Sequence, residues 1–515
     1  MSVDWNQGGA AWGRRAFVLV ATMTVARLVL NAVVGLGDSE AYYWAWSQHL
    51  SLSYFDHPPA IAWLIAGTTS VLGNNTFAVR LGPTLLFAAA AFFLFRLAHR
   101  LYGSRAAFLA VAFLVVTPAF GLGGGTAVPD VPLGALWCAG LLVASRIADG
   151  GTSRLWVLAG IVVGVGFLAK YVALLLLFPF AYLAFRERAR AFKSPWLYVG
   201  VVVAASAAIP VVLWNIETSW ATLQYHAGRH LNAGPSFATL AQLIGGQLLY
   251  ISPVLLAFAL AVVPSLTRDA WRIGASRARV LWLASAPSLL ILSGFVVWTR
   301  KAEPHWPAFA YLPLYIEVAR RYDDWRRRFD SRRSFRIARR LLWAFPITLI
   351  IVAHIHLVTP FVVMLLPDKA YEAKWDLANE TRDWDKAAAR ALEIVATKAP
   401  NAFVTSYHYT LCGQLEFALD GRLPFACLSE RTDAFSYWTR DEDWLGRTAV
   451  FVNDWRYQRP VDDILRCDRV ETLPALETKR GGKKAREFRF ALCHRFRGRV
   501  NPIASLSRMV SNTQR

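Results

Sequence analysis

The sequence predicts a polytopic α-helical membrane protein that ends in a small α/β domain, and three observations carry this expectation. Of its 515 residues, 55% are hydrophobic and only 18% charged, where a soluble domain is nearer a quarter charged. The apolar residues come in blocks rather than with a period, and the blocks are long enough to cross a bilayer, which takes about 20 helical residues. Beyond residue 366 the blocks stop, and charged and apolar residues alternate. The formal charge of +21 does not mark a nucleic-acid binder. Most of it lies in short loops between apolar blocks, where it sets topology, and it does not form one face of a folded module.

The chain opens with WGRRAFVLVATMTVARLVLNAVVG, basic residues followed by an apolar run. The run is too long for a signal peptide and has no small-residue cleavage site, so it reads as an uncleaved first span. Spans are expected at 16–35, 77–99, 105–121, 131–148, 155–170, 172–185, 195–214, 238–263, 280–298, 305–319 and 341–366. The segment 58–73 is apolar but short, runs from Pro58-Pro59 to Gly73-Asn74-Asn75, and is expected as a helix at the surface. With about eleven crossings, one side receives Arg14, Arg15, Arg96, Arg100, Arg105, Arg146, Arg154, the cluster 186–193, the cluster 268–279 and the run RRYDDWRRRFDSRRSFRIARR. The other side has only Lys170, Arg229, Arg300 and Lys301 in its short loops. The positive-inside rule then places the N-terminus in the cytoplasm and the first loop, 36–76, outside. Counting 58–73 as a span would invert every later loop and spoil that asymmetry.

Residues 1–366 thus form the membrane domain and 367–515 a domain on the outer side. Within the latter, AYEAKWDLANETRDWDKAAARALEIVATK has helical spacing, and NAFVTSY, TAVFVND and EFRFALCHRF read as strands between turns. Cys138 lies in a span. Cys412, Cys427, Cys467 and Cys493 all lie in the tail, in what the topology makes an oxidising compartment. Four cysteines allow three pairings; Cys412–Cys427 with Cys467–Cys493 is the favoured set, four buried thiols the alternative. A zinc site is disfavoured by the lack of CxxC spacing.

The chemistry collects on the outer side. DSEAYYWAWSQHLSLSYFDHPP carries Asp38, Glu40, Asp56 and His57 among Tyr42, Tyr43 and tryptophans, with no Lys or Arg. Carboxylates suit sugar hydroxyls and ring faces suit sugar C–H faces, although an aromatic belt with solvated acids reads the same way. Asp130, in GLGGGTAVPDVP, precedes a span, where a helix dipole would also favour it. Lys170, in GFLAKYVALLLL, is a cation between apolar helices, which must snorkel or find an anion. TRKAEPHWP places Arg300, Lys301 and His305 in one short turn, a composition suited to a phosphate. Arg229 lies in the loop 215–236, which has the Gly and Asn content of a mobile cover. Asp38-Ser39-Glu40 spaces two carboxylates as divalent-cation sites do, so a metal is permitted there but not required. No P-loop, GxGxxG, HExxH or GxSxG context occurs, which argues against nucleotide-driven or hydrolytic chemistry.

Together DSEAYYWAWSQHLSLSYFDHPP, GNNTFAVRLGP, TAVPDVPL, GVGFLAKY, IPVVLWNIETSW and RKAEPHWPAFAYLP, spread over residues 16–320, resemble the membrane-embedded glycosyltransferases that use polyprenyl-phosphate sugars (GT-C type). That family includes protein O-mannosyltransferases and the aminoarabinose and galacturonic acid transferases of lipid A and lipopolysaccharide. The resemblance implies a multi-pass inner-membrane enzyme with a periplasmic α/β domain. It would transfer a sugar with inversion to lipid A or lipopolysaccharide core, with protein as the runner-up acceptor. It further implies catalytic roles for Asp38, Glu40 and Asp130, donor-phosphate contacts at Lys170, Arg300, Lys301 and His305, and substrate contacts at Tyr42, Tyr43, Asp56, His57 and Arg229. From another class, a lipid-linked sugar transporter or flippase would need internal repeats and helices broken at the midplane, and neither is evident in the sequence.

Overall fold

A computed structural model of the chain describes residues 9–231, 234–300 and 303–501, apart from the side chains of 229–231. The chain divides into two compact units. The first comprises Met1–Val29, Pro83–Val212 and Leu223–Ala353; the second comprises Leu30–Gly82, Leu213–Thr222 and His354–Arg515. Among the described residues seven helices are long and apolar enough to cross a membrane: Gly9–Val33, Thr76–Val116, Asp130–Ala148, Pro195–Glu217, Pro253–Ala270, Ser276–Thr299 and Arg333–Val358. Leu155–Ala169 and Tyr171–Arg186 are shorter apolar helices. The protein is a multi-pass helical membrane protein with a C-terminal sheet domain.

One expected break is kept and two boundaries differ from expectation, each for a local reason. The spans expected at 77–99 and 105–121 lie on either side of Gly103 (φ 83°, ψ 175°), whose non-helical backbone breaks Thr76–Val116 between them, a conformation glycine adopts without steric penalty. The span expected at 238–263 is two helices, Phe237–Tyr250 and Pro253–Ala270. Ser252, at φ 79°, separates them and caps the second by accepting from the Leu255 amide, with Pro253 in the first turn. The segment 305–319 opens as a 3-10 turn, Trp306–Tyr311, and continues as Leu312–Phe329 into the basic run. Arg326, Arg327 and Arg328 fall in the last turn of that helix, where cations complement the helix dipole.

In the first unit, small residues let backbones meet, as membrane helices require. A Cβ at Gly160 would stand 2.0 Å from the Gly200 carbonyl, and one at Gly200 2.2 Å from the Trp156 carbonyl. Arg27, a cation inside the first span, is buried, donates to the carbonyls of Phe120 (2.7 Å) and Gly121 (3.0 Å), and lies 4.0 Å from the Phe87 ring centroid. Backbone carbonyls and a ring face thus replace water around it. Loops that the charge pattern assigns to one side are tied together. Asp149 binds Arg100 (2.7 Å) and Arg277 (2.5 Å), Asp323 binds Arg105 (2.6 Å), and Asp269 binds Arg320 (2.8 Å).

The second unit gathers the first loop with the tail. Its loop helices are Asp38–Gln48 and Ala60–Leu72, the latter the short apolar helix expected at the surface. Its sheet has strands β1 (Phe403–Ser406), β2 (Phe425–Cys427), β3 (Ala449–Asp454), β4 (Leu465–Arg480) and β5 (Lys483–Arg499), in the order β2-β1-β3-β5-β4. β1 runs parallel to β2 and β3, with Val404 beside Phe425 and Phe403 beside Ala449; β5 runs antiparallel to β3 and β4. Gly481 and Gly482, both at positive φ, turn the β4–β5 hairpin, as a tight two-residue turn demands. The expected tail helix forms only over Trp384–Lys398. Residues before it fold as short 3-10 turns because Asp376 is held by His356 (2.9 Å) and Arg480 (2.9 Å) and caps the Ala378 amide. Helices Trp384–Lys398 and Tyr409–Leu419 pack Ala387, Ala391, Ile394, Leu411 and Leu415 against Val404, Val450 and Phe490.

Cys412 is bonded to Cys427 and Cys467 to Cys493. The first bridge joins helix Tyr409–Leu419 to β2 across a separation of 15 residues. On chain-entropy grounds its loss costs about 3 kcal/mol. The paired substitution Cys412→Ser with Cys427→Ser is therefore expected to lower the melting temperature of the full chain, and reductant, which also opens Cys467–Cys493, should lower that of the native chain at least as far. Equal melting of all three samples would show that the bridge contributes nothing to stability.

Candidate active site

The helix Asp38–Gln48 begins directly after the first long apolar segment, and its first turn carries both acids of the motif. Glu40 is turned back as an anchor. Its Oε2 accepts from the Gly37 amide (2.9 Å), and Arg80 grips its carboxylate with Nε (2.7 Å) and Nη2 (2.5 Å). Arg80 also donates to the carbonyls of Val34 (2.6 Å) and Gly35 (2.7 Å), and both side chains are buried. This two-pronged pairing ties the end of the first span to the loop helix. Glu40, expected as a catalytic partner, is thereby occupied in holding the loop.

Asp38 has different partners, all from the tail. Arg456 Nη1 donates to Oδ2 (2.7 Å) and Gln414 Nε2 to Oδ1 (3.2 Å). Arg456 is itself fixed by Asp454 (2.8 Å), a carboxylate that also pairs with the buried Arg486. Burial, with Asp38 close by, pushes the Glu380 carboxyl above its ordinary range. The approach is close: a Cβ at Gly413 would stand 2.8 Å from the Tyr42 amide nitrogen, so only glycine lets helix Tyr409–Leu419 lie against Asp38–Gln48. Asp38 and Glu40 are each met by a guanidinium, Arg456 for the one and Arg80 for the other.

Around this helix the aromatic residues form a wall. Tyr42 donates its hydroxyl to Asp56 (2.7 Å) and accepts from the Ala434 amide (2.9 Å). Burial and then Asp56 raise its phenol well above the ordinary value. Its ring meets Tyr409 at 4.7 Å, Tyr43 meets His57 at 6.2 Å, and Trp46 stacks on Tyr54 at 4.3 Å between centroids.

In the first unit, Asp130 and Lys170 are brought together. Asp130 starts helix Asp130–Ala148, and Lys170 follows helix Leu155–Ala169 with an extended backbone. Lys170 Nζ lies 2.7 and 2.8 Å from the two oxygens of Asp130. The lysine is buried, so it has found an anion rather than snorkelled. His305 stands within electrostatic reach of both and contacts Glu303 at 3.6 Å. Gln247 holds that turn by donating to the Pro304 carbonyl (2.6 Å). Arg300, at φ 54°, points its Nε to the Gly234 carbonyl (3.0 Å). Lys301 and the side chain of Arg229 lie outside the described residues.

Sequence reasoning missed Arg80, Gln414 and Arg456 as members of these clusters. Arg80 stood in GNNTFAVRLGP, and its signal was a cation near an otherwise acid-only loop. The tail residues carried no motif at all.

The chain resembles known proteins over most of its length. The family described as dolichyl-phosphate-mannose-protein mannosyltransferase matches residues 56–214. The lipid A galacturonosyltransferase RgtD of Rhizobium johnstonii is 28% identical over 320 residues, 58% of this chain and 63% of that protein. The undecaprenyl phosphate-alpha-4-amino-4-deoxy-L-arabinose arabinosyl transferase of Erwinia tasmaniensis is 29% identical over 251 residues, 47% of this chain and 45% of that one. Each of these matches spans less than two thirds of the relative. Among solved structures, ArnT from Cupriavidus metallidurans bound to undecaprenyl phosphate superposes with a TM-score of 0.61 at 15% identity, covering 96% of this chain and 99% of that one. At that identity the likeness is one of fold.

Proposed function

We propose that this chain, a member of the membrane-embedded glycosyltransferases that use polyprenyl-phosphate sugars, moves one sugar from such a donor onto lipid A or lipopolysaccharide core. The observation that carries the reading is Asp38. It is a nearly buried carboxylate in the first loop, held from both sides by Arg456 (2.7 Å) and Gln414 (3.2 Å). A carboxylate offers about four lone-pair positions, so two donors leave room for a third.

The acceptor hydroxyl oxygen attacks the anomeric carbon, and its proton passes to Asp38 as general base. The bond from the anomeric carbon to the phosphate oxygen breaks, and the electron pair leaves with the polyprenyl phosphate. Lys170 neutralises the charge that builds there, relayed from its resting partner Asp130. A single displacement inverts the anomeric centre. Tyr43 and His57 offer ring faces and Asp56 a carboxylate to the sugar, while Arg300, Lys301, His305 and Arg229 are the remaining candidates for phosphate contact.

The reaction would take place on the periplasmic face of the inner membrane, with the N-terminus cytoplasmic. The charge asymmetry of the loops supports this, as do the two disulfides of the tail.

The test is a proteoliposome assay with a labelled undecaprenyl-phosphate sugar and lipid A. Label moving onto lipid A is the expected result. Label moving only between leaflets would replace the reading with transport, and label on protein would replace the acceptor. In the same assay Lys170→Gln is expected to raise the donor KM by about tenfold or more, the loss of one charge-assisted hydrogen bond, with a smaller change in kcat. An unchanged donor KM would remove Lys170 from phosphate binding.

A further inference from the structure

Beyond Asp38, the second unit holds a group of buried polar atoms whose bonding within the chain is incomplete: the Ser429 side chain reaches the Asp433 carboxyl, but without standard hydrogen-bond geometry. Asp433 is 3% and Ser429 1% exposed. Asp433 uses Oδ1 to cap the Phe435 amide (3.0 Å). Its Oδ2 completes no hydrogen bond of standard geometry, nor does the neighbouring Ser429 hydroxyl. The buried hydroxyl of Tyr437, within electrostatic reach of both Asp433 and Asp56, is a third such atom. Buried polar atoms are ordinarily paired, so three with incomplete bonding leave capacity for the hydroxyls of a polar ligand.

The surroundings fit one class of molecule. Tyr42 ties the first loop to this turn, donating to Asp56 (2.7 Å) while accepting from the Ala434 amide (2.9 Å). The Tyr437 ring packs on Trp214 at 5.2 Å and Phe55 at 6.1 Å between centroids. Arg431 lies over the Tyr409 ring at 4.6 Å. Carboxyl and hydroxyl groups beside broad ring faces recognise a polyhydroxylated ring, its hydroxyls on the oxygens and its C–H faces on the rings.

We propose that Asp433, Ser429 and Tyr437 of the tail, with Asp56 of the first loop, form a sugar-binding subsite that takes the hydroxyls of a monosaccharide unit of the substrate. It rests on the glycosyltransferase reading for the identity of the substrate but not for the binding itself. The tail domain then takes part in substrate selection. Burial, with Asp56 nearby, pushes the Asp433 carboxyl up to about 7, against the pull of Ser429 and Arg431. Below that pH it is neutral and can donate a hydrogen bond; above it, Asp433 and Asp56 both carry negative charge. The titratable groups facing it are Asp56, Arg431, Tyr42 and Tyr437.

Saturation-transfer NMR on the full chain in nanodiscs tests this, with the methyl glycoside of a neutral hexose as probe. Wild type should show transfer at pH 6 that weakens as pH rises through about 7. Asp433→Asn, which keeps a neutral donor, should show transfer at both pH values. Asp433→Leu and Tyr437→Phe should reduce it at least fivefold while the chain melts normally. Undiminished transfer in both of these variants, or none in wild type at pH 6, overturns the subsite. Asp38→Asn serves as the separate control. Intact probe binding with no sugar transfer upholds both readings, and intact binding with full transfer leaves the subsite standing while removing Asp38 as base.

Discussion

Asp38→Asn is expected to lower sugar transfer by about 10²–10⁴-fold, the usual contribution of a positioned general base, while the protein remains folded and inserted. The amide keeps the size of the side chain, and its single oxygen can still accept from Arg456 Nη1, which holds the carboxylate at 2.7 Å; its NH2 group replaces the oxygen that accepted the weaker contact from Gln414 Nε2 at 3.2 Å. Arg456 keeps its second carboxylate, Asp454, at 2.8 Å, so no cation is stranded. What is lost is the basic lone pair. The measurement is kcat for transfer from a labelled polyprenyl-phosphate sugar, with the melting temperature of the purified variant as the folding control. Wild-type turnover would remove Asp38 from the mechanism. A collapse of the melting temperature would instead make its pairing with the tail a structural clasp.

Arg80→Ala, in the first turns of the helix that follows the first loop, should give a large loss of stability. Both oxygens of Glu40 are gripped by this arginine at 2.7 and 2.5 Å, and the carbonyls of Val34 and Gly35 depend on it as well. Removing one partner of a buried pair leaves the other charge without water or counter-ion, at a cost of about 3–5 kcal/mol. The Gly37 amide, at 2.9 Å, cannot replace a guanidinium. The prediction is a sharply lowered melting temperature and yield for Arg80→Ala, and a substantial recovery when Glu40→Gln is added, because the second change removes the stranded charge. If the single variant melts like wild type, Glu40 is not a buried anchor, and its carboxylate becomes available for catalysis again.

Why some of this was legible beforehand can be traced residue by residue. The apolar blocks announced themselves because a bilayer imposes a minimum length on any helix that crosses it. The loops could be sorted by charge because topogenic charge is a property of composition rather than of contacts. The acid-bearing first loop stood out because it had no Lys or Arg, and Lys170 stood out because a cation between apolar helices requires an anion. That the anion is Asp130, 40 residues earlier, was not visible, since nothing local to either residue names the other. The break at Ser252 was also hidden, because a long apolar block surrounds it.

Composition and periodicity, taken alone, determined that this is a multi-pass membrane protein with a mixed α/β tail. Those properties are local: each follows from whether a short stretch prefers lipid, water or a turn. The tertiary structure alone decided that Asp38 is held by Arg456, 418 residues away, and by Gln414, 376 away, and that Glu40 is committed to Arg80. A buried charge is tolerable only where a specific opposite charge meets it. Which of the chain's 56 basic residues does so is settled by folding, when one guanidinium out of many arrives within hydrogen-bond distance.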